Sequence, residues 1–339
     1  SDNAIVAYPI DADHDVLFLS YLLEDLDLNR YAGGAAQPLL TQTVLKQVEA
    51  PIPPLPIQRK IAAVLSAYDD LIENNLRWIK NLEAMAQNLY REWFVKFRFP
   101  GYQQALFIDS PLGKIPEGWD VVCFKDLVES SLGGDWGLDK PDEKRTDPVL
   151  VIRGTDFADI VSGSPLRTPK RFIAASSKGK RQLTAGDLLV ENSVNAKSRC
   201  VGTTLLITDG VLQRLRAPAI AASFCKTYRF NDPLLAPLAH LHMRYLYEED
   251  RMDFYQNVAT NGIGNFQSTR FLESEQLVLP AKQEQRQGML GFLRDLTSSS
   301  HSDRMFRLRL TRDLLLPKLI SGKVDVSELD IAIPEGAKS

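Results

Sequence analysis

Ile52-Pro53-Pro54-Leu55-Pro56-Ile57-Gln58-Arg59 and Leu279-Pro280-Ala281-Lys282-Gln283-Glu284-Gln285-Arg286 are two copies of one segment. Aligning Gln58 with Gln285 gives an offset of 285 − 58 = 227, which also superposes Ile52-Pro53 on Leu279-Pro280, Thr41 on Ser268 and Leu45 on Leu272. Solenoid repeats run to roughly 20–50 residues, so an offset this large marks a duplicated domain. The layout predicts two long helices, each introduced by the same extended turn, with a large insert between them.

From Pro56 to about Lys96 no internal proline or glycine interrupts the chain, and proline is well tolerated in a first helical turn. Ile61, Leu65, Tyr68, Ile72, Ile79, Leu82, Ala86, Leu89 and Trp93 recur at alternating spacings of three and four around one polar position, Asn75. That is a heptad seam, and a helix of about 40 residues spans roughly 60 Å. Asn75 has two readings: a polar residue that sets the register of a helix pair, or a satisfied asparagine in an ordinary core helix. The second copy predicts one helix over 283–320, with Met289, Leu293, Leu296, Phe306, Leu310 and Leu314 on its apolar side. Its middle, Thr297-Ser298-Ser299-Ser300-His301-Ser302, is a weak helix former that aligns Ser302 with Asn75. Pro317 and Gly322 mark its end. Two such helices pair with each other, or each docks a partner helix.

The insert, from about Ile115 to Phe271, reads as mixed α and β. The aliphatic runs 120–124, 149–153, 187–191 and 201–207 are bounded by Gly, Asn and Asp, as strands are. Residues 233–256 read as helix, acidic at Glu248-Glu249-Asp250. The expected fold class is α+β, a mixed α/β domain flanked by two long helices. Gly133-Gly134 and Gly262-Ile263-Gly264 suit plain turns or a close backbone approach to a ligand.

The net charge of −3 conceals a local asymmetry. Between Lys140 and Arg216 there are 14 Lys/Arg against 8 Asp/Glu, a net of +6, whereas Ser1 to Ala50 carries 2 against 8, a net of −6. A polyanion prefers the middle of the chain. Lys170, Arg171, Lys178, Lys180, Arg181, Lys197 and Arg199 are interleaved there with Asn192, Ser193 and Asn195. Lys and Arg neutralise phosphates, and Asn and Arg make the paired hydrogen bonds that read base edges, so these ten are the candidate DNA-binding residues.

Several chemistries find no support. Cys123, Cys200 and Cys225 are dispersed and odd in number, which argues against a disulfide framework or zinc site and for a reducing cytoplasm. His240 and His242 lack the company of a metal site and read as ordinary helix residues. There is no Walker A loop, no GxSxG elbow and no Asn-Pro-Pro-aromatic run. Pro141-Asp142-Glu143-Lys144 has the letters of a metal-dependent nuclease, but its acids are adjacent. No apolar run reaches the roughly 18 residues of a membrane span. Ser1-Asp2-Asn3-Ala4 reads as a cut or processed end without a signal peptide.

At 52–62, 65–72 and 89–94 the chain resembles the first conserved region of type I restriction-modification specificity (S, HsdS-type) subunits. Ile115-Pro116-Glu117-Gly118-Trp119 is similar to the opening of their target recognition domains, and Leu315 to Gly322 to the end of their second conserved region. The resemblance implies that the two long helices form an antiparallel coiled coil, in a subunit without catalytic activity that reads a bipartite DNA target. It also implies methyltransferase and restriction subunits as partners, which would hold S-adenosylmethionine, ATP and Mg²⁺, with no cofactor on this chain. The expected divisions are a remnant of a first recognition domain at 1–50, a spacer helix at 51–98, a second recognition domain at 99–278, a second spacer helix at 279–323 and a tail. The offset puts the start of the first recognition domain at 115 − 227 = −112, so its basic half is expected to be missing, through deletion or fragmentation. A homodimer restoring a second domain is one consequence. A helical scaffold that organises partner proteins without binding DNA is the alternative function.

Overall fold

A computed structural model describes residues 5–33, 40–195, 200–298 and 300–333, the last range with side chains from Arg304 onward. The chain forms two compact units, Ser1–Asn75 with Arg307–Ser339, and Leu76–Phe306. Helix α1 (Val16–Asp25) starts where the Asp15 side chain accepts the Phe18 N–H, an N-cap that satisfies an otherwise orphaned donor. A short α2 (Gln42–Leu45) is capped in the same way by Thr41. Helix α3 (Leu55–Tyr90) then runs for 36 residues and continues through a π-helical turn at Arg91–Val95. Its uninterrupted length follows from good helix formers after Pro56, which sits in the first turn where proline is tolerated.

The insert continues with β1 (Phe107–Ser110), β2 (Gly113–Pro116), β3 (Trp119–Cys123), α4 (Phe124–Leu127) and β4 (Val128–Gly133). Next come β5 (Asp147–Ile152), α5 (Phe157–Ser162), β6 (Lys170–Ile173), α6 (Ala175–Arg181), β7 (Leu188–Glu191), β8 (Ser193–Asn195) and β9 (Thr204–Leu206). Helix α7 (Asp209–Leu215), β10 (Ala219–Ala221), β11 (Cys225–Phe230), α8 (Leu235–Glu248), β12 (Gln256–Val258), β13 (Ile263–Phe266), α9 (Ser268–Ser274) and β14 (Gln276–Pro280) complete it. Helices α10 (Gln283–Thr297) and α11 (Ser300–Ile320) follow. The α+β class holds. The sheets are small: β4-β11-β7-β9 is antiparallel, β10-β5-β6 contains one parallel pair, β12-β13-β8 is antiparallel, and β14 pairs with β3.

The first unit is built on Phe18, Tyr21 and Leu22 of α1, Ile61, Ala62 and Leu65 of α3, and Leu316, Leu319 and Ile320 of α11. Lys60 donates to the Ser327 carbonyl at 2.6 Å, and Arg312 pairs with Asp69 at 3.0 Å and with Glu24 at 2.6 Å. Ascending α3 therefore meets a descending chain, the antiparallel sense expected of the helix pair. In the second unit, Trp93 beyond α3 packs on Phe292 of α10 with ring centroids 5.8 Å apart. Ala86 and Leu296 line one cavity there, which again makes the two helices antiparallel. Buried Phe124, Phe271, Tyr228, Leu188 and Leu238 form the centre of this unit's larger core. Each such side chain contributes about 1.5–3 kcal/mol through removal from water.

Three expectations are corrected. The helix expected over 283–320 is two helices, because Ser298 is extended (ψ 116°). The cause is local: Thr297 Oγ1 donates to the Leu293 carbonyl and Ser298 Oγ to the Asp295 carbonyl, side-chain bonds that compete with the helical ladder. The strand expected at 201–207 shrinks to Thr204–Leu206, since Val201 donates to the Gln256 side chain and Gly202 takes φ +92° beside Met252. Gly134 does serve a close approach, but to the protein's own backbone: a Cβ there would lie 2.0 Å from the Ala222 carbonyl oxygen.

The seam residues are sorted by unit. Ile61 and Leu65 are core in the first, with Tyr68 and Ile72 half-buried. Leu89 and Trp93 pack on the second unit's core, and Ile79 and Leu82 line the cavity that holds His240 and Leu241. Asn75 is buried, and its side-chain amide donates to the Leu71 carbonyl of its own helix at 2.7 Å.

Candidate nucleic-acid interface

The sheet β12-β13-β8 carries an outward polar row. Its register sets Asn257 beside Asn265 and Asn265 beside Ser193, and the Ser193 hydroxyl donates to Asn265 Oδ1 at 2.8 Å. Because side chains alternate along a strand, Val194, Gly264 and Phe266 face the core while Ser193, Asn195, Asn257, Ile263 and Asn265 face away from it. An amide side chain on a rigid sheet holds one donor and one acceptor in fixed positions, the combination that pairs with a base edge. Ser193 and Asn195 were legible in the sequence, but Asn257 and Asn265 were not. Their signal was the amide-rich hairpin Gln256-Asn257 to Asn265 around Asn261-Gly262, a strong turn dipeptide.

This row meets a second cluster through the turn between β10 and β11. Asn192 and Ser193 donate their N–H groups to the Phe224 carbonyl at 2.8 and 3.3 Å. The Phe224 ring, 57 % exposed, lies 6.4 Å from the Trp136 ring. Arg171 of β6 stacks its guanidinium 4.9 Å over Trp136 and pairs with Asp139. A contiguous line thus runs from Arg171 through Trp136, Phe224 and Ser193 to Asn265 and Asn257.

Other predicted basic groups are braces. Lys178 pairs with Asp147 at 2.8 Å, and Arg181 donates to the Gly133 carbonyl and to the Ser177 hydroxyl. Ser177 in turn donates to Asp135 at 2.6 Å. Burial pushes the Asp135 carboxyl up, but the Ser177 hydroxyl, the Gly137 and Trp136 amides and Arg181 outweigh it, leaving its pKa below the usual carboxylate value. These contacts tie α6 and β5 to the loop after β4. Lys170 and Lys180 are exposed, with Lys140, Lys144 and Arg145 on the neighbouring loop, and none has an ion pair among the described residues. Lys197 and Arg199 lie outside the described residues. Asn192 sits at the junction, its side-chain oxygen buried with no hydrogen-bond partner among the described residues.

A buried polar network anchors the end of the long helix. Tyr90 contacts His242 Nδ1 at 2.6 Å, His242 Nε2 contacts Glu275 at 3.0 Å, and the Tyr255 hydroxyl donates to Glu275 at 2.5 Å. Burial alone would raise the Glu275 carboxyl, but the bonds from His242 and Tyr255 hold it below its ordinary value. Burial and the Glu275 contact push Tyr255 up to about 12. His242 is therefore more than an ordinary helix residue. Asp142, from the nuclease-like run, sits on an exposed loop and accepts the Lys144 and Arg145 amides. Among the described residues no group of three His, Cys, Asp or Glu is placed to hold a metal ion, and no helix is long and apolar enough to cross a membrane.

The insert is an α+β domain with an outward amide row, and comparison with known proteins places the chain beside one class of protein. Residues 1–84 match the family described as type I restriction modification DNA specificity domain, and the chain is similar to type I restriction enzyme specificity subunits. It is 34 % identical to the MjaIX specificity subunit of Methanocaldococcus jannaschii over 122 residues, 35 % of this chain and 28 % of that protein. Against the HindI specificity subunit of Haemophilus influenzae it is 22 % identical over 336 residues, covering 85 % of this chain and 71 % of the relative. The chain thus matches less than a third of the length of the M. jannaschii relative. The crystal structure of a type I restriction-modification S subunit from M. genitalium matches with a TM-score of 0.50 at 14 % identity, over 91 % of this chain and 74 % of that one, and so shares the fold.

Proposed function

We propose that this chain is the DNA-sequence-recognition subunit of a type I restriction-modification complex, and that its insert reads one half of a bipartite target. The observation that carries this is the line from Arg171 through Trp136 and Phe224 to the Ser193, Asn265 and Asn257 row of β12-β13-β8, where planar, amide and hydroxyl groups follow one another. Lys170, Lys180, Lys140, Lys144 and Arg145 supply phosphate contacts around it, and Lys178 and Arg181 act mainly by holding the loop. Lys197 and Arg199 remain candidates from the sequence. The chain itself performs no chemistry in this reading. Methyltransferase and restriction subunits dock on the helices and hold S-adenosylmethionine, ATP and Mg²⁺, the whole acting in the cytoplasm. A homodimer would present two equivalent inserts to a palindromic two-part site.

The test is DNA binding by the chain together with its methyltransferase subunit. Binding should weaken as salt rises, with a log–log slope of about −0.9 per neutralised phosphate. Alanine at Lys170 and Lys180 should reduce that slope by about one unit each. Salt-insensitive binding, or none, would overturn the reading in favour of a helical scaffold.

A further inference from the structure

We propose that Phe224 is a base-stacking wedge, inserted beside the amide row where the DNA step is kinked or opened; this rests on the recognition reading above. Phe224 occupies the tip of a four-residue turn, Ala222 to Cys225, closed by the Cys225 N–H donating to the Ala222 carbonyl at 2.8 Å. Turn tips ordinarily carry Gly, Asn, Asp, Ser or Pro, each for a conformational reason, and phenylalanine supplies none of these. The side chain is also not spent on packing, since it is 57 % exposed. A single exposed apolar residue is unremarkable on a mobile loop. This one is fixed.

The turn is held from several directions. Its Phe224 carbonyl accepts from both Asn192 and Ser193, Ala222 donates to the Ile152 carbonyl at 2.8 Å, and Asp135 donates to the Ala221 carbonyl at 3.0 Å. Beneath it Gly134 approaches so closely that no other residue fits without moving the Ala221–Ala222 backbone. The phenyl ring is further flanked by Trp136, whose ring carries the Arg171 guanidinium. A rigidly mounted, exposed aromatic within a row of π faces, next to amides that can pair with base edges, matches what a nucleobase needs from a stacking partner. Apolar side chains used this way unstack a base step and bend the duplex at a cost of a few kcal/mol, repaid by added contacts.

The experiment uses the full chain in complex with its methyltransferase subunit and a 40-base-pair duplex carrying the sequence that methylation sequencing of the host identifies. Each adenine or its neighbour is replaced in turn by 2-aminopurine. Wild type should change 2-aminopurine fluorescence at one or two adjacent positions. Phe224→Ala should abolish that change and weaken binding about 10- to 100-fold, the range for losing one base–aromatic stack. Phe224→Trp should restore both, and Phe224→Lys should not, although it adds a positive charge. Unchanged fluorescence and affinity in Phe224→Ala would overturn the wedge while leaving recognition by the insert intact. Tighter binding by Phe224→Lys would overturn it too, by showing only phosphate attraction at this point. Failure of the wild-type complex to bind the duplex at all would overturn both readings together. Melting temperatures of the variants matching wild type within a degree or two separate these outcomes from unfolding.

Discussion

The two copies of the proline-led segment solve one problem with different side chains. In the first unit Gln58 is 1 % exposed, donates to the Pro53 carbonyl at 2.8 Å and to the Asp13 carbonyl, and accepts the Asp15 N–H. In the second unit Gln285 is half-exposed, and Arg286 donates to the equivalent Pro280 carbonyl at 2.8 Å. The difference follows from what precedes each helix. Residues 276–280 form β14, already paired with β3, so its backbone needs one outside donor. The corresponding 49–53 are not in a strand, and Gln58 ties that stretch to the start of α1 as well. One sequence motif therefore acts as a weld in one unit and a tidy helix start in the other.

Breaking the weld should have the largest effect. Gln58→Leu strands three backbone partners, each costing about 1–3 kcal/mol when buried unsatisfied, and should lower the first unit's stability by about 3–5 kcal/mol in chemical denaturation. Gln285→Leu should change stability by less than about 0.5 kcal/mol, as exposed substitutions do. Equal effects at the two sites would remove the distinction.

The second largest contrast is in pH. Burial, and then Arg244, lower the pKa of His240 on α8 to about 4, with its Nδ1 beside the Thr204 hydroxyl at 2.8 Å. The unfolded chain, with an ordinary value near 6.5, binds more protons than the folded one between those limits. Stability of the second unit is thus fully present above about pH 6.5 and is lost as pH falls toward 4, by up to about 3 kcal/mol. His240→Gln should flatten that slope in pH-dependent melting, and the first unit, whose only histidine His14 is on an outer turn, should not share it.

Smaller effects come from the outward face. Asn257→Ala and Asn265→Ala should each cost about 1–3 kcal/mol of discrimination at one base position, measured by competition between duplexes differing there, with stability nearly unchanged. Arg286→Ala should cost about 1 kcal/mol of stability, because its donors reach partly exposed carbonyls.

Much of this architecture was legible in the residues. The heptad pattern predicted α3 to within a turn, since a long amphipathic helix depends mostly on its own sequence. The second helix broke at Ser298, where the weak stretch was visible but its side-chain bonds to Leu293 and Asp295 were not. At the interface, Arg171 and Lys178 looked like phosphate ligands because their partners Asp139 and Asp147 lie 31 or 32 positions earlier. Asn257 and Asn265 were missed for the converse reason: only strand register sets them in line with Ser193.

The separation of faces on β12-β13-β8 has an evolutionary consequence. Val194 and Phe266 carry the packing, while Ser193, Asn195, Asn257 and Asn265 project from the same strands without carrying any of the core. Mutations that exchange one outward side chain for another leave the selection for folding untouched. Lineages can therefore drift to new target preferences one substitution at a time, through intermediates that all remain folded.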